Sequence, residues 1–203
     1  MRNSEDKITQ AIDLYFSNLS SRKVRNHFRR HLPKNCSHVT ILDWCRRYVL
    51  KVQKYIDTLQ PQLSGQLYAD ETEIDCERRN DIFWCCVDWG TRYINATLYS
   101  TNTQDSDDAI QFLKKTIKHG LRKYIQTDAA GFYPKSMTKL FYSNKLGIKG
   151  DLTIQHKIQN VQKTRVHNYK IESVFMKIKD RVEDFRGLKA LWSSPIILMG
   201  LVI

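Results

Sequence analysis

From Gln66 onward the chain carries three β-rich runs in succession, QLYADETEID, DIFWCCVDWG and YINATLYST, with gaps between them too short for a helix. That spacing predicts an antiparallel meander. DSDDAIQFLKKTIKHG follows, with acids in its first turn, Ala109, Phe112, Leu113 and Ile117 on one face, and Gly120 to close it. KYIQTD then predicts a short buried strand, and GFYPKSMTKLF begins another helical stretch. A meander followed by a helix and a returning strand predicts an α/β fold, a mixed sheet with flanking helices.

The first sixty residues have the helical period instead. ITQAIDLYFSNL spaces Ile8, Ala11, Ile12, Tyr15 and Leu19 for one helical face. Ser20 or Ser21 can cap the basic helix of SSRKVRNHFRRHL. After a turn around Pro33 to Ser37, HVTILDWCRRYVLKVQKYI has Val39, Leu42, Trp44, Tyr48, Val49 and Val52 as its apolar positions. Short helix, tight turn and second helix is how helix-turn-helix modules are built. The domain division read from the sequence is 1–60 helical DNA-binding domain, 61–66 linker and 67–203 catalytic domain, the linker being marked by Pro61 and Gly65.

Charge supplies the class of partner. Lys plus Arg number 33 against 21 Asp plus Glu, a net charge of +12 with a sequence pI near 9.5. A surplus of that size points to a polyanion, and the cations on the helical segment point to DNA phosphates. The expected DNA contacts are Arg22, Lys23, Arg25, Arg29, Arg46 and Arg47, with Arg30 beside them. The polar start MRNSEDKITQ does not have the form of a signal peptide, and the apolar PIILMGLVI is far too short to span a bilayer, so no membrane partner is expected. Five cysteines without a CxxC pair suggest neither a disulfide framework nor structural zinc, and Cys85 and Cys86 read as small core residues in a reducing interior.

The chemistry is sought in acids at strand ends. Asp70 is read as ending the run Leu67-Tyr68-Ala69, and Asp128 as ending Tyr124-Ile125-Gln126-Thr127. On neighbouring strands their carboxylates would sit side by side, a costly arrangement unless a cation lies between them. Hard oxygen ligands of that kind suit Mg²⁺ or Mn²⁺. Helical NYKIESVFMKIKDRV offers Glu172 as a third acid, read as core-facing through Phe175, Met176 and Lys179 at i+3, i+4 and i+7. Singly, each acid has an ordinary use: a turn residue for the two Asp, a solvated salt-bridge partner for Glu172.

Taken together, DET at Asp70 to Thr72, FWCCVDWGTRY, TDAAGFYP around Asp128 and HNYKIESVFMKIKDRVEDFRGLKAL around Glu172 resemble the DDE-type transposases of prokaryotic insertion sequences. Asn168, Ile171, Glu172, Lys179, Arg181, Arg186 and Gly187 fall where that family carries its third acid and the basic and Arg-Gly residues after it. SHVTILDWCRRYV resembles the family's helix-turn-helix segment. The resemblance implies a ribonuclease-H-like integrase core. It also implies two divalent ions, Mg²⁺ or Mn²⁺, held by Asp70, Asp128 and Glu172, and phosphoryl transfer at double-stranded DNA, both insertion-sequence ends and target. Lys179 would contact the DNA backbone, and joint action on two ends implies a homo-oligomer. The expected setting is a prokaryotic cytoplasm, on the nucleoid. The Asp128 to Glu172 interval, 172 − 128 = 44, is longer than the commonest family arrangement, with the excess around YSNKLGIKGDLTIQHK. The family usually continues beyond an apolar helix like the one ending at Ile203, so the expectation is of a chain shortened at its C-terminus. The alternative function is a catalytically inactive remnant acting as a DNA-binding protein. A hybrid-specific nuclease of the same fold would need no duplex reader, and a purely structural protein would tolerate loss of all three acids.

Overall fold

The computed structural model describes residues 3–32, 35–77, 79–101, 105–117, 123–142, 154–159, 169–185 and 188–203. By packing, the chain divides into two compact units, Met1–Leu59 with Ile178–Ile203, and Gln60–Lys177.

In the first unit, α1 (Glu5–Phe16), α2 (Ser21–His31) and α3 (His38–Ile56) each begin at a serine whose hydroxyl accepts a hydrogen bond from the backbone amide three residues inward: Ser4 from Lys7, Ser20 from Lys23 and Ser37 from Thr40. These caps satisfy amide groups that a helix leaves orphaned. Ile8, Ala11 and Tyr15 of α1 are buried as their spacing predicts, with Val24 and Phe28 of α2. On α3 the inward stripe is Ile41, Trp44, Cys45 and Val49; Val39 and Val52, expected inside, are exposed. Ile41, Cys45 and Val49 keep the four-residue step of one helical face; Val39 falls off it, while Val52 continues that face one turn beyond its last buried residue, Val49. The turn at Pro33 lies outside the described residues.

The apolar run near the C-terminus forms α7 (Ser194–Val202), packed against α3 with Leu198 fully buried. Gly200 closes this contact: a Cβ there would meet the Phe16 ring and would lie 2.8 Å from Val49 Cγ2. The sequence division assigned residues 178–203 to the catalytic region, whereas by packing they join the helices of 1–59. No helix among the described residues is long and apolar enough to cross a membrane.

The second unit is a five-stranded sheet in the order β3-β2-β1-β4-β5. The meander is β1 (Gln66–Cys76), β2 (Arg79–Asp88) and β3 (Tyr93–Ser100), antiparallel throughout. Then come α4 (Ser106–Thr116), capped by Asp105, and β4 (Tyr124–Asp128), which runs parallel to β1. Next are α5 (Phe132–Met137), continued by a π-turn over Thr138–Tyr142, and β5 (Gln155–Gln159), parallel to β4. The sheet class expected from the sequence is therefore present, together with one strand the sequence reading passed over. QHKIQ of β5 lies at the sheet edge with its side chains mostly exposed, so it lacks the apolar signal that marked the others. Helix α6 (Tyr169–Asp184) carries Glu172, and the boundary between the two units falls within it.

One face of the sheet makes the core. Leu67, Ala69, Trp84, Cys86 and Ile125 pack with Ala109, Phe112 and Leu113 of α4 and with Tyr133 and Met137 of α5. Trp84 is fully buried, and its indole N–H donates to Ser100 Oγ at 2.9 Å. The start of β1 is anchored by Asp88, whose carboxylate accepts from Ser64 Oγ, Gly65 N, Thr91 N and Thr91 Oγ1 at 2.8–3.0 Å. Burial alone would raise the Asp88 pKa; these hydrogen bonds outweigh it and hold the carboxyl below its usual value.

Candidate metal centre

The strand pairing explains how two distant aspartates meet. Strands β1 and β4 pair in parallel over Gln66↔Tyr124, Leu67↔Ile125 and Tyr68↔Gln126. Carried two residues further, that register sets Asp70 beside Asp128. Asp70 does not end its strand, as the sequence reading had it, but stands mid-way along the 11 residues of β1. Its strand continues because β2 still pairs with it as far as Cys76↔Arg79, while β4 stops at Asp128. Asp128 thus occupies the carboxyl end of a parallel strand, where open α/β sheets place their ligand sites.

Alternation along the strands fixes the faces. Tyr68 and Asp70 share the face opposite Leu67, Ala69 and Glu71, and Tyr124 and Asp128 share it on β4. Asp70 Oδ1 accepts from the amide of Glu71 at 3.0 Å, and Asp128 Oδ1 from the amide of Ala130 at 2.9 Å. Glu71, on the α5 side, accepts a hydrogen bond from the hydroxyl of fully buried Tyr133. Even so, one carboxylate oxygen each from Asp70, Glu71 and Asp128 lie within 4.8 Å of one another, the one such acidic group among the described residues.

These carboxylates strain against each other. Burial, the neighbouring charge of Glu71, and the charges of Asp128 and Glu172 push Asp70 up to about 8. Burial, with the charge of Asp128 adding and the Tyr133 hydrogen bond opposing, pushes Glu71 up to about 7. Tyr133 is itself held protonated, first by burial and then by Glu71 and Asp70. Half-buried acids that cannot all ionise are a site prepared for cations, and a set of hard carboxylate oxygens suits Mg²⁺ or Mn²⁺. The donor set therefore fits divalent ions.

Glu172 is not one of the three mutually close acids, though its charge acts on Asp70. The buried stripe of α6 is Ile171, Phe175, Ile178 and Val182; Met176 is 64% exposed and Lys179 is exposed, so neither marks a core face. Glu172 is half-buried at the border of that stripe, one position round from Ile171. The segment carrying Glu172 is helical, as its sequence suggests, but its inward face is turned about 100° from the one expected. It also missed Glu71 as a member of the cluster. The DET motif contained it, but strand alternation sends Glu71 to the other face, and only the end of β4 lets the two faces meet.

The basic residues of the helical unit are mostly solvent-facing: Arg22, Lys23, Arg29, Arg30 and Arg47 are exposed, while Arg25 and Arg46 are half-buried. Arg25 donates to the Asn26 side chain at 3.0 Å, and Arg47 pairs with Asp43 one turn earlier. Arg46 stacks 4.4 Å from the centre of the Trp192 ring. Arg22, Lys23, Arg46 and Lys189 line a cleft of about 760 Å³ within this unit. Asn168, Arg186 and Gly187 lie outside the described residues.

Residues 64–201 match the profile of a DDE domain, that of the IS240 transposase type. Comparison by structure finds similarity to the HTLV-2 integrase catalytic core domain in complex with magnesium in its dimeric form. The TM-score is 0.46 at 14% identity, over 70% of this chain and 87% of that one. The simian T-cell lymphotropic virus intasome in complex with PP2A regulatory subunit B56 gamma is similar at a TM-score of 0.47 and 14% identity, over 95% of this chain. The chain spans 65% of that protein's length. Comparison with curated proteins by sequence gives no match.

Proposed function

The chain belongs to the DDE domain family of transposases, and from that premise we propose that Asp70, Asp128 and Glu172 are its catalytic acids. They act on double-stranded DNA at insertion-sequence ends and at the target, with Mg²⁺ or Mn²⁺ as the physiological pair of ions. The observation that carries this reading is the convergence of Asp70 and Asp128 on adjacent parallel strands, with the charge of Glu172 bearing on Asp70. The chemistry such ions supply when bound is charge neutralisation at the scissile phosphate and activation of the attacking water or 3′-hydroxyl.

The protein's own residues perform the positioning. Strands β1 and β4 hold two carboxylates on a rigid sheet, where their separation is set by backbone pairing. The Ala130 and Glu71 amides fix one oxygen of Asp128 and of Asp70, leaving the other oxygen of each for a ligand. The Tyr133 hydroxyl restrains Glu71, so that a further acid stands at the site without swinging into solvent.

Within this proposal residues 1–60 are the DNA-binding helix-turn-helix domain, 61–66 a linker and 67–203 the catalytic domain, the last by continuity of function even though 178–203 pack with the helices of 1–59. Arg22, Lys23, Arg25, Arg29, Arg46 and Arg47 contact DNA phosphates. The exposure of the first two, of Arg29 and of Arg47, and the predominance of cations over the single acid Asp184 along the described wall of the cleft, support this role. Exposed Lys179, seven residues after Glu172, contacts the backbone of the same DNA. Acting on two ends together calls for a homo-oligomer, in the cytoplasm of a prokaryote and on its nucleoid.

The test is cleavage and joining of DNA bearing the inverted repeats that flank the reading frame, with Mg²⁺ or Mn²⁺. Metal-dependent products are expected from the wild type, and none from Asp70→Asn, Asp128→Asn or Glu172→Gln, each of which still binds the ends. A wild type that binds those ends and neither cuts nor joins them with either ion is a DNA-binding remnant, and the catalytic reading is then wrong.

A further inference from the structure

A hydrogen-bonded chain of side chains runs alongside the acids and joins the same three elements. Lys170 Nζ on α6 donates to Tyr68 Oη on β1 at 2.6 Å. Tyr68 Oη lies 2.9 Å from Tyr124 Oη on β4, and Tyr124 Oη donates to Gln66 Oε1 at 3.1 Å. The proton inventory sets the direction. Each hydroxyl has one proton, and Tyr124 gives its own to Gln66, so Tyr68 donates to Tyr124 and accepts from Lys170. The ammonium at the head makes the first link charge-assisted, and a one-way chain polarises its later members. Tyr68 is 5% exposed, and Lys170 also sits 4.2 Å from the centre of the Tyr68 ring and 5.2 Å from that of Trp89.

Each member is paired in sequence with one acid. Tyr68 precedes Asp70 by two residues on β1, a step that returns to the same face about 6.6 Å along the strand. Tyr124 precedes Asp128 by four on β4, again on the same face. On α6, Lys170 and Glu172 flank Ile171, which is fully buried. At roughly 100° per residue they project to either side of it. A helix seated by Ile171 can then reach Tyr68 on one flank and bear on Asp70 with Glu172 on the other. Rotation of α6 about its axis would break the Lys170 link and move Glu172 away from Asp70 in one motion.

We propose that Lys170, Tyr68 and Tyr124 are positioning residues that hold α6 at the rotation and height at which Glu172 joins Asp70 and Asp128. This rests on the three acids being the metal-binding set, and it adds what fixes the third of them, the one brought from a helix rather than from the sheet. The role is that of outer residues orienting metal ligands, whose loss typically weakens metal affinity or activity by about 10–100-fold.

The experiment uses the full chain and Mn²⁺ itself, with affinity read by electron paramagnetic resonance, and amide hydrogen exchange measured without metal. Tyr68→Phe removes the central hydroxyl and keeps the ring; Lys170→Met keeps the stem and removes the donor; Lys170→Arg restores a cationic donor. Tyr68→Phe and Lys170→Met are expected to weaken Mn²⁺ binding by about 10–100-fold, and Lys170→Arg to recover most of it. Exchange across residues 169–175 is expected to speed up in Tyr68→Phe while α4 is unchanged. The proposal is overturned if exchange in 169–175 stays at the wild-type rate. It is equally overturned if Mn²⁺ affinity stays within twofold while Asp128→Asn abolishes binding. If Asp128→Asn leaves Mn²⁺ binding intact, the assignment of the acids fails, and the exchange measurement alone then decides what the network holds.

Discussion

Lowering the pH from 8.5 to 6 should weaken divalent-ion binding far more steeply than ordinary carboxylates allow. Protons and metal compete for the same oxygens, so affinity scales with the fraction of ligand carboxylates that are ionised. Asp70 is pushed up to about 8 and Glu71 to about 7. If Asp70 is the one of these two that must lose a proton, simple titration gives a loss of about 80-fold between pH 8.5 and 6. If Glu71 must ionise as well, the loss is about 800-fold. The slope therefore also reports whether Glu71 ligates. The assay is calorimetric titration with Mg²⁺ in buffers of differing ionisation enthalpy, which counts released protons directly. Near pH 7 about one proton should leave per binding event if Asp70 acts alone, and about 1.4 if Glu71 joins it. Acids titrating near 4 would give affinity changing by a few per cent over this range and no proton release. That result would refute the reasoning that burial and mutual repulsion prepare the site for cations.

The same frustration gives Asp70→Asn opposite effects with and without metal. A folded pKa raised from 3.8 to about 8 means the native state holds the proton longer, so the Asp70 contribution to stability declines as pH rises between those values. At pH 8 the metal-free variant should melt above wild type, and Mg²⁺ should no longer raise its melting temperature. Asp88→Ala strips the acceptor from buried donors at the start of β1 and should cost about 3 kcal/mol by urea unfolding. Because the Asp88 pKa is depressed, its stabilisation is full above the ordinary carboxylate range and is lost as pH falls through the folded value, so the wild-type advantage should fade under strong acid. Gly200→Ala drives a methyl into Phe16 and Val49 and should cost roughly 1–3 kcal/mol, read as earlier loss of helical signal on heating.

The fold was legible where burial leaves a period in the sequence. The meander, α4 and β4 carry strong apolar patterns, because one side of each packs against the other around Trp84, Phe112 and Leu113. Strand β5 was not legible: an edge strand rich in polar side chains is set by pairing with β4, and QHKIQ carries no local trace of that partner. Asp70 and Asp128 were legible as acids near strand ends, yet the actual reason for their meeting is a parallel register that skips from β1 to β4 across two intervening strands and a helix. Glu172 needed the resemblance to a family, since its apolar neighbours at i+3 and i+4 misjudged the inward face by one position. Glu71, Tyr133 and the Lys170–Tyr68–Tyr124 chain are products of three-dimensional packing, and no spacing in the sequence announces them.

The central claim is that these acids hold metal where the strands β1 and β4 part. Crystals of the protein soaked in Mn²⁺, measured for manganese anomalous scattering, test it most directly. The account predicts an anomalous peak bridging the carboxylates of Asp70 and Asp128, with Glu172 or Glu71 completing the ligands, and its disappearance in Asp128→Asn. A peak elsewhere on the protein, or none at these acids at saturating Mn²⁺ and pH 8.5, would contradict it.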